Sequence, residues 1–238
     1  MDDFFARVQS RTHAWPAGRK DLHWLIIPGE DFAREHLYEP YRTLAEQPGL
    51  HPVQPQWMHC TILHGGPQES ASPAEVDQLV AEVAKSAAGM APYDLTLSRP
   101  DIGTVAIESK GYPGAPHRAL WEMTWRAQQA VVGERWPKIP ARGSYPHVSH
   151  AYAGAKGHLA DRVALKVSLS DLPGGLVTLP VTTLTLVAEW HDCREIKWDV
   201  LAEVRLGTGR VTSPTVVTST MAGGRSPLTP VPRTGTSQ

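Results

Sequence analysis

The sequence predicts a domain of interleaved strands and helices, α/β or α+β in class, arranged as two similar lobes. Apolar runs of strand length alternate with amphipathic stretches of helical period. The order strand, helix, Pro-containing connection, strand occurs twice, and the strand that ends each repeat carries a histidine with a hydroxyl residue two positions on. These histidines, His59 and His147, are 88 residues apart, and the helices beginning near 31 and 117 are separated by about as much. A constant offset of this kind reads as an internal duplication.

The elements follow in order. "DLHWLIIPG" (21–29) reads as a buried strand ended by Pro-Gly. Residues 30–47 have helical spacing, with Pro40 expected to kink or split the helix, because proline lacks the N–H donor and its ring crowds the preceding turn. "QWMHCTILHG" reads as a strand with His59, Thr61 and Leu63 on one face and Cys60, Ile62 and His64 on the other. In "SPAEVDQLVAEVAKSAAG" (72–89) Ser72 is the N-cap, Pro73 the first helical residue and Glu75 the third, a capping box. "YDLTLSRP" and "GTVAIES" read as strands, 117–133 as an amphipathic helix, and "SYPHVSHAYAG" (144–154) as a strand with His147, Ser149 and Ala151 on one face. "LVTLPVTTLTLVAEW" and "REIKWDVLAEVRLG" read as two closing strands joined at "HDC" by a hairpin.

Domain organisation follows from composition. Residues 1–19 form an N-terminal extension with helical potential, and 20–206 form the duplicated domain. Residues 207–238, rich in Thr, Ser, Pro and Gly without a sustained period, predict a disordered tail that buries too little apolar surface to offset its ordering entropy. The chain of 238 residues is 41% hydrophobic and 20% charged, with formal net charge −1. That balance argues against binding long nucleic acid mainly through global positive charge, and leaves room for a local basic groove. The acidic start "MDDFFARVQS" does not read as a secretory signal, and no apolar run approaches the length of a membrane span. A cytoplasmic monomer is the expectation. Cys60 and Cys193 fit no metal or redox spacing and read as small apolar residues.

A single His-x-Ser/Thr is a common coincidence. The pair at 59–61 and 147–149 differs because both members fall at matching places in two similar halves. A pseudo-two-fold arrangement of the halves would turn both imidazoles into one cleft. Trp57 and Tyr145, two residues before the histidines, share their faces and are candidates for base stacking or for propping the strand. Arg99, Lys110, Arg118, Lys138 and Arg142 make 99–142 locally basic, whether to draw in a phosphodiester or as scattered surface charge. Tyr112 lies in a loop suited to covering a ligand. His191, Asp192 and Cys193 lack the further ligands of a structural zinc site and read as a turn, and His64 and His150 are expected to pack away from the cleft.

"HCTI" at 59–62 and "HVSH" at 147–150 resemble the paired His-x-Thr/Ser-x motifs of the two-histidine (2H) phosphoesterase superfamily, in its bacterial 2′-5′ RNA ligase and cyclic phosphodiesterase branch. "YPHVSHAYA" and "KWDVLAEVRLG" are similar to the same branch, so the resemblance spans about 20–206. Ser149 stands where Thr is commoner, and His150 where an apolar residue is usual. The resemblance implies an α+β two-lobe fold with antiparallel sheets lining a central cleft and helices outside. It implies His59 and His147 as general acid and base, Thr61 and Ser149 as phosphate-binding hydroxyls, and a substrate that is an RNA end or a nucleotide phosphodiester. No cofactor, metal or membrane is implied.

Opening a 2′,3′-cyclic phosphate takes a proton from water and gives one to the departing ribose oxygen. Two imidazoles, with unperturbed pKa about 6.5, can share those tasks near neutral pH. Thr61 and Ser149 would donate to the non-bridging oxygens, where charge accumulates. Run backwards, the same chemistry joins a 2′-5′ bond. Three alternatives remain at this level: a phosphodiesterase for a cyclic oligonucleotide or other small phosphodiester, a non-catalytic module that holds an RNA end, and an interaction protein that acts through its tail.

Overall fold

The chain is described here by a computed structural model covering residues 1–10, 14–136, 145–154 and 159–213. In chain order its main elements are α1 (Phe4–Gln9), β1 (Asp21–Ile26), α2 (Glu30–Phe32), α3 (Arg42–Ala45), β2 (Leu50–Pro52), β3 (Cys60–Pro67), α4 (Pro73–Ala87), β4 (Tyr93–Leu97), β5 (Asp101–Ile102), β6 (Ala106–Tyr112), α5 (Gly114–Val131), β7 (His147–Ala153), α6 (Arg162–Ser170), β8 (Val177–Val181), β9 (Thr183–His191), β10 (Ile196–Arg205) and β11 (Val211–Thr212). The strands make two antiparallel sheets, β11-β10-β9-β1-β3 and β2-β7-β6-β4-β8, with β5 paired to β6. The two motif strands, β3 and β7, belong to different sheets that line a central cleft.

Each sheet buries its outer face under helices. Leu22, Trp24, Ile26, Ile62 and Leu63 of the first sheet share one core with Leu79 and Val83 of α4 and Leu120 and Ala127 of α5. The second sheet packs Ile107, Ala151 and Ala153 against Leu44 of α3 and Leu165 of α6. The halves therefore exchange helices: α5 belongs to the second repeat in sequence but packs on β3, while α3 from the first repeat packs beside β2 and α6. Side-chain period reveals that a helix has an apolar face, but not which sheet that face will meet.

Helix α4 forms with the capping box expected for it. Ser72 Oγ accepts from the Glu75 N–H at 3.3 Å, and the Glu75 carboxylate accepts from the Ser72 N–H at 2.8 Å. Residues 30–45 depart from a single helix. After α2 the backbone widens to a π-helix over Ala33–Tyr38, tightens to a 3-10 turn over Glu39–Tyr41 and resumes as α3. Pro40 sits at the change of pitch, where its missing N–H breaks the α-helical ladder.

The run "LVTLPVTTLTLVAEW" is two strands rather than one. β8 pairs with β4 in the second sheet, and after Thr182 the chain crosses to the first sheet as β9. Pro180 in β8 fits because β8 is an edge strand. Helix α6, absent from the sequence reading, is capped by Asp161, whose carboxylate accepts from the Val163 and Ala164 N–H groups. It was hidden because Val163 and Val167 lie on its solvent face and blur the apolar stripe.

Both ends of the domain run past the boundaries expected from composition. Phe5, Val8 and Trp15 are buried in the main core, so the N-terminal residues are part of the domain. Residues 207–213 turn through Gly207 and Gly209, both at positive φ, and pair as β11 with β10. Residues 214–238 lie outside those described.

Candidate active site

The start of β3 meets the start of β7 across the cleft. The Cys60 side chain lies beside the backbone N–H of His147, and burial pushes its thiol up to about 12, which leaves it an inert packing group. This contact brings His147 close enough for its charge to be felt at His59. Both rings are anchored in the same way. His59 Nδ1 lies 2.9 Å from the Trp57 carbonyl oxygen, and His147 Nδ1 lies 3.0 Å from that of Tyr145. A carbonyl can only accept, so each Nδ1 carries the hydrogen and each Nε2 is left for chemistry.

The surroundings of the two rings differ. His59 is buried, its ring edge-on to Trp198 at 5.0 Å. Burial lowers its pKa below the ordinary value; the Glu189 carboxylate and the Trp57 carbonyl oppose that shift, and His147 adds to it. His147 is partly exposed, with Nε2 4.0 Å from Glu108 Oε1. Glu108 also accepts from the Tyr145 hydroxyl at 3.0 Å, and Ser149 is its register partner across β6 and β7. Thr61, half-buried, stands opposite Leu25 of β1 on the face of His59.

A β-bulge follows the hydroxyl residue in each motif strand. Thr61 pairs with Leu25 and Leu63 with Trp24, so Ile62 is the extra residue; Ser149 pairs with Glu108 and Ala151 with Ile107, so His150 is the extra residue. A bulge places two successive side chains on one side of the sheet and shifts the alternation by one. Ile62 and Leu63 accordingly both enter the core. His64 then returns to the cleft face and is exposed, contrary to its expected packing role. Its ring is perpendicular to that of His23 at 4.7 Å, and His23 Nδ1 lies 3.1 Å from Glu189 Oε1. Leu63, expected on the cleft face, is in the core for the same reason.

In β7 the bulge gives His150 the packing role expected of it. His150 Nε2 is 2.7 Å from Ser109 Oγ and Nδ1 2.9 Å from the Leu37 carbonyl oxygen, and burial lowers its pKa to about 4. Ala151, expected beside His147, joins Ala153 in the second core, and Tyr152 turns to the cleft face with its hydroxyl beside that of Ser149. The sequence reading missed His23, Glu108, Tyr152 and Glu189. Tyr152 was the most accessible of them, since it and His64 both stand five residues after a motif histidine.

The remaining candidates separate. Trp57 is wedged edge-on against Trp198 at 5.0 Å and packs with Leu25 and Val187, which makes it a prop for the carbonyl that holds His59. Tyr145 is 43% exposed, 5.2 Å from the His147 ring, with Lys110 Nζ 6.0 Å from its own ring centre. Arg99 is spent on the carbonyls of Leu169 and Leu172 at the end of α6, and Lys110 pairs with Asp101 at 3.1 Å. Lys138 and Arg142 lie outside the described residues. Tyr112, expected in a loop, is the last residue of β6, paired with Thr96 of β4 and 47% exposed. Asp192 closes the β9–β10 hairpin by accepting from the Arg194 and Glu195 N–H groups, while His191 Nε2 donates to the Trp15 carbonyl and Nδ1 accepts from the Cys193 N–H. His191 ends β9, and Asp192 and Cys193 lie in the turn that follows it.

No family model matches the sequence, and no curated protein matches it. Solved structures do. TT0787 of Thermus thermophilus superposes with TM-score 0.59 at 19% identity over 80% of this chain and all of that one. A structure described as a phosphoesterase gives 0.58 at 17% identity over 79% of this chain and 98% of that one. E. coli LigT complexed with 3′-AMP gives 0.55 at 16% identity over the same shares. With two antiparallel sheets around a cleft, helices outside and one His-x-hydroxyl strand in each sheet, this chain has the two-lobe α+β fold of these solved structures.

Proposed function

We propose that the protein is a 2H-type phosphoesterase in which His59 and His147 act as general base and general acid on a 2′,3′-cyclic phosphate or 2′-5′ phosphodiester of RNA or of a nucleotide. The observation that carries this reading is the matched anchoring of the two rings: both Nδ1 atoms are held by the carbonyl two residues back, at 2.9 and 3.0 Å, and neither Nε2 has a hydrogen bond among the described residues, Glu108 Oε1 standing 4.0 Å from that of His147. Structural histidines in this chain are used differently, since both ring nitrogens of His150 and of His191 have partners.

His59, held neutral by burial, suits the base. It takes a proton from water as the water oxygen bonds to phosphorus, one ribose oxygen leaves, and protonated His147 supplies that oxygen with a proton. Each such transfer contributes about 10²–10⁴ in rate. Thr61 and Ser149 donate to the non-bridging oxygens, and the proton bookkeeping closes without a metal ion. LigT has been solved with 3′-AMP, phosphate, ATP and NADP+, which supports a nucleotide-phosphate ligand for a cleft of this fold.

The test is phosphorus NMR of a short RNA ending in a 2′,3′-cyclic phosphate, incubated with the protein in excess EDTA beside His59→Ala and His147→Ala. Conversion to a 2′-phosphate by the unaltered protein alone is the expected result. Binding of the RNA without conversion would sink the enzymatic reading in favour of a binding module.

A further inference from the structure

We infer that His150 is a positioning residue for Ser149, holding the peptide that follows the hydroxyl residue at a point where neither neighbouring strand holds it. The inference rests on the phosphoesterase reading and adds a residue to that site.

Ser149 stands where the backbone support of β7 lapses. On one side, β6 pairs with Ser149 through Glu108 and resumes at Ala151 through Ile107, so His150 is passed over. On the other side, β2 pairs only with Ala151, Tyr152 and Ala153. The extra residue of a bulge is left out of the ladder, and the strand bends there. Something besides the ladder must therefore fix the direction in which the Ser149 side chain leaves the strand.

His150 supplies that fixation through three bonds. Its carbonyl accepts from the Val53 N–H at 2.9 Å. Its ring is buried, and burial lowers the pKa to about 4, so the imidazole is neutral at pH 7 and carries one hydrogen. The Leu37 carbonyl, 2.9 Å from Nδ1, can only accept, which puts that hydrogen on Nδ1 and leaves Nε2 to accept from the Ser109 hydroxyl at 2.7 Å.

The three partners come from three places in the fold. Val53 follows β2, Ser109 lies in β6 and Leu37 in the π-helix. The Leu37 carbonyl sits at the change of helix pitch, where Pro40 has no N–H to give it and the Arg42 N–H goes to Glu39 instead. Tyr41 closes the ring's surroundings edge-on, with centroids 5.3 Å apart. Ile62, the extra residue of the β3 bulge, is held differently, by entering the main core as an apolar side chain. A buried imidazole costs free energy unless its nitrogens are paired, and at His150 both are.

A double-mutant cycle tests this on the RNA that ends in a 2′,3′-cyclic phosphate, with His150→Leu made in the unaltered protein and in Ser149→Ala. In the unaltered protein His150→Leu should lower kcat roughly tenfold or more and move KM less than about twofold, because a misplaced donor is lost mainly from the transition state. In Ser149→Ala the same change should cost less than about twofold, since no hydroxyl is left to misplace. An equal loss of kcat in both backgrounds makes His150 a stability residue only, and overturns the inference while the phosphoesterase reading stands. Full kcat in either single variant overturns it too. Absence of turnover by the unaltered protein overturns that reading and this inference with it. If His150→Leu fails to fold, Ser109→Ala takes its place, since it keeps the imidazole and removes only the donor to Nε2, and the same pattern is expected.

Discussion

Tyr152 stands to His147 as His64 stands to His59: five residues on, past a β-bulge, on the histidine's own face of the sheet. The pairing extends the repeat from the His-x-Ser/Thr motif to the local backbone. It also sets one side chain per sheet beyond Thr61 and Ser149.

His64 is exposed on that face, so its removal should be felt by a ligand more than by the fold. His64→Ala is expected to raise KM two- to tenfold, the loss of one hydrogen bond worth about 0.5–1.5 kcal/mol. Surface substitutions usually change stability by less than about 0.5 kcal/mol, so the urea midpoint should stay nearly fixed. Steady-state kinetics beside a urea melt checks both.

Thr61 and Ser149 are assigned to developing charge rather than to proton transfer. Thr61→Val and Ser149→Ala should each lower kcat by about 10²–10³ with little change in KM, as expected for a donor aimed at the transition state. Equal kcat in the variants would remove the hydroxyls from the mechanism.

The acid limb of the pH–rate profile should report His59. A base must be neutral, so the rate falls as pH drops through its pKa, and burial places that pKa below the ordinary 6.5. Glu189 works against the shift, so Glu189→Gln should move the limb to still lower pH. A limb that stays in place in this variant would separate Glu189 from the catalytic histidine. The variant's near-UV spectrum should match that of the unaltered protein before the profiles are compared.

The His23–Glu189 pair should govern stability against pH. Burial disfavours both charges, but each holds the other, so the His23 pKa is raised and that of Glu189 lowered. The raised histidine contributes fully below its unfolded value of 6.5 and loses that contribution as pH rises through its folded value. The lowered carboxylate contributes above its unfolded value of 4.5 and loses it as pH falls through its folded value. The pair therefore stabilises most between about 4.5 and 6.5, and thermal melts across pH should show it. Removing one partner of a buried pair costs about 3–5 kcal/mol, so Glu189→Gln should cost far more than the paired replacement His23→Leu with Glu189→Leu.

The N-cap of α4, the breaking of the 30–47 helix at Pro40 and the period of α5 were legible because each depends on neighbours a few residues away. The repeated His-x-Thr and His-x-Ser pattern is legible for a different reason: it recurs at a fixed offset, and that offset is present in the sequence. The β8–β9 crossing and α6 were not, because a sheet change and a misplaced apolar stripe have no local signature.

By itself the sequence determined most of the elements and the repeated pattern that holds His59, Thr61, His147 and Ser149. Tertiary structure decided which face His64 and Tyr152 present, that Glu189 and His23 lie on the first sheet's cleft face, and that Phe5, Val8 and Trp15 are buried in the main core. The physical reason lies in register. A bulge adds one residue against a partner strand, which reverses every later side chain in that strand, and no periodicity within the strand records where its partner places the extra residue.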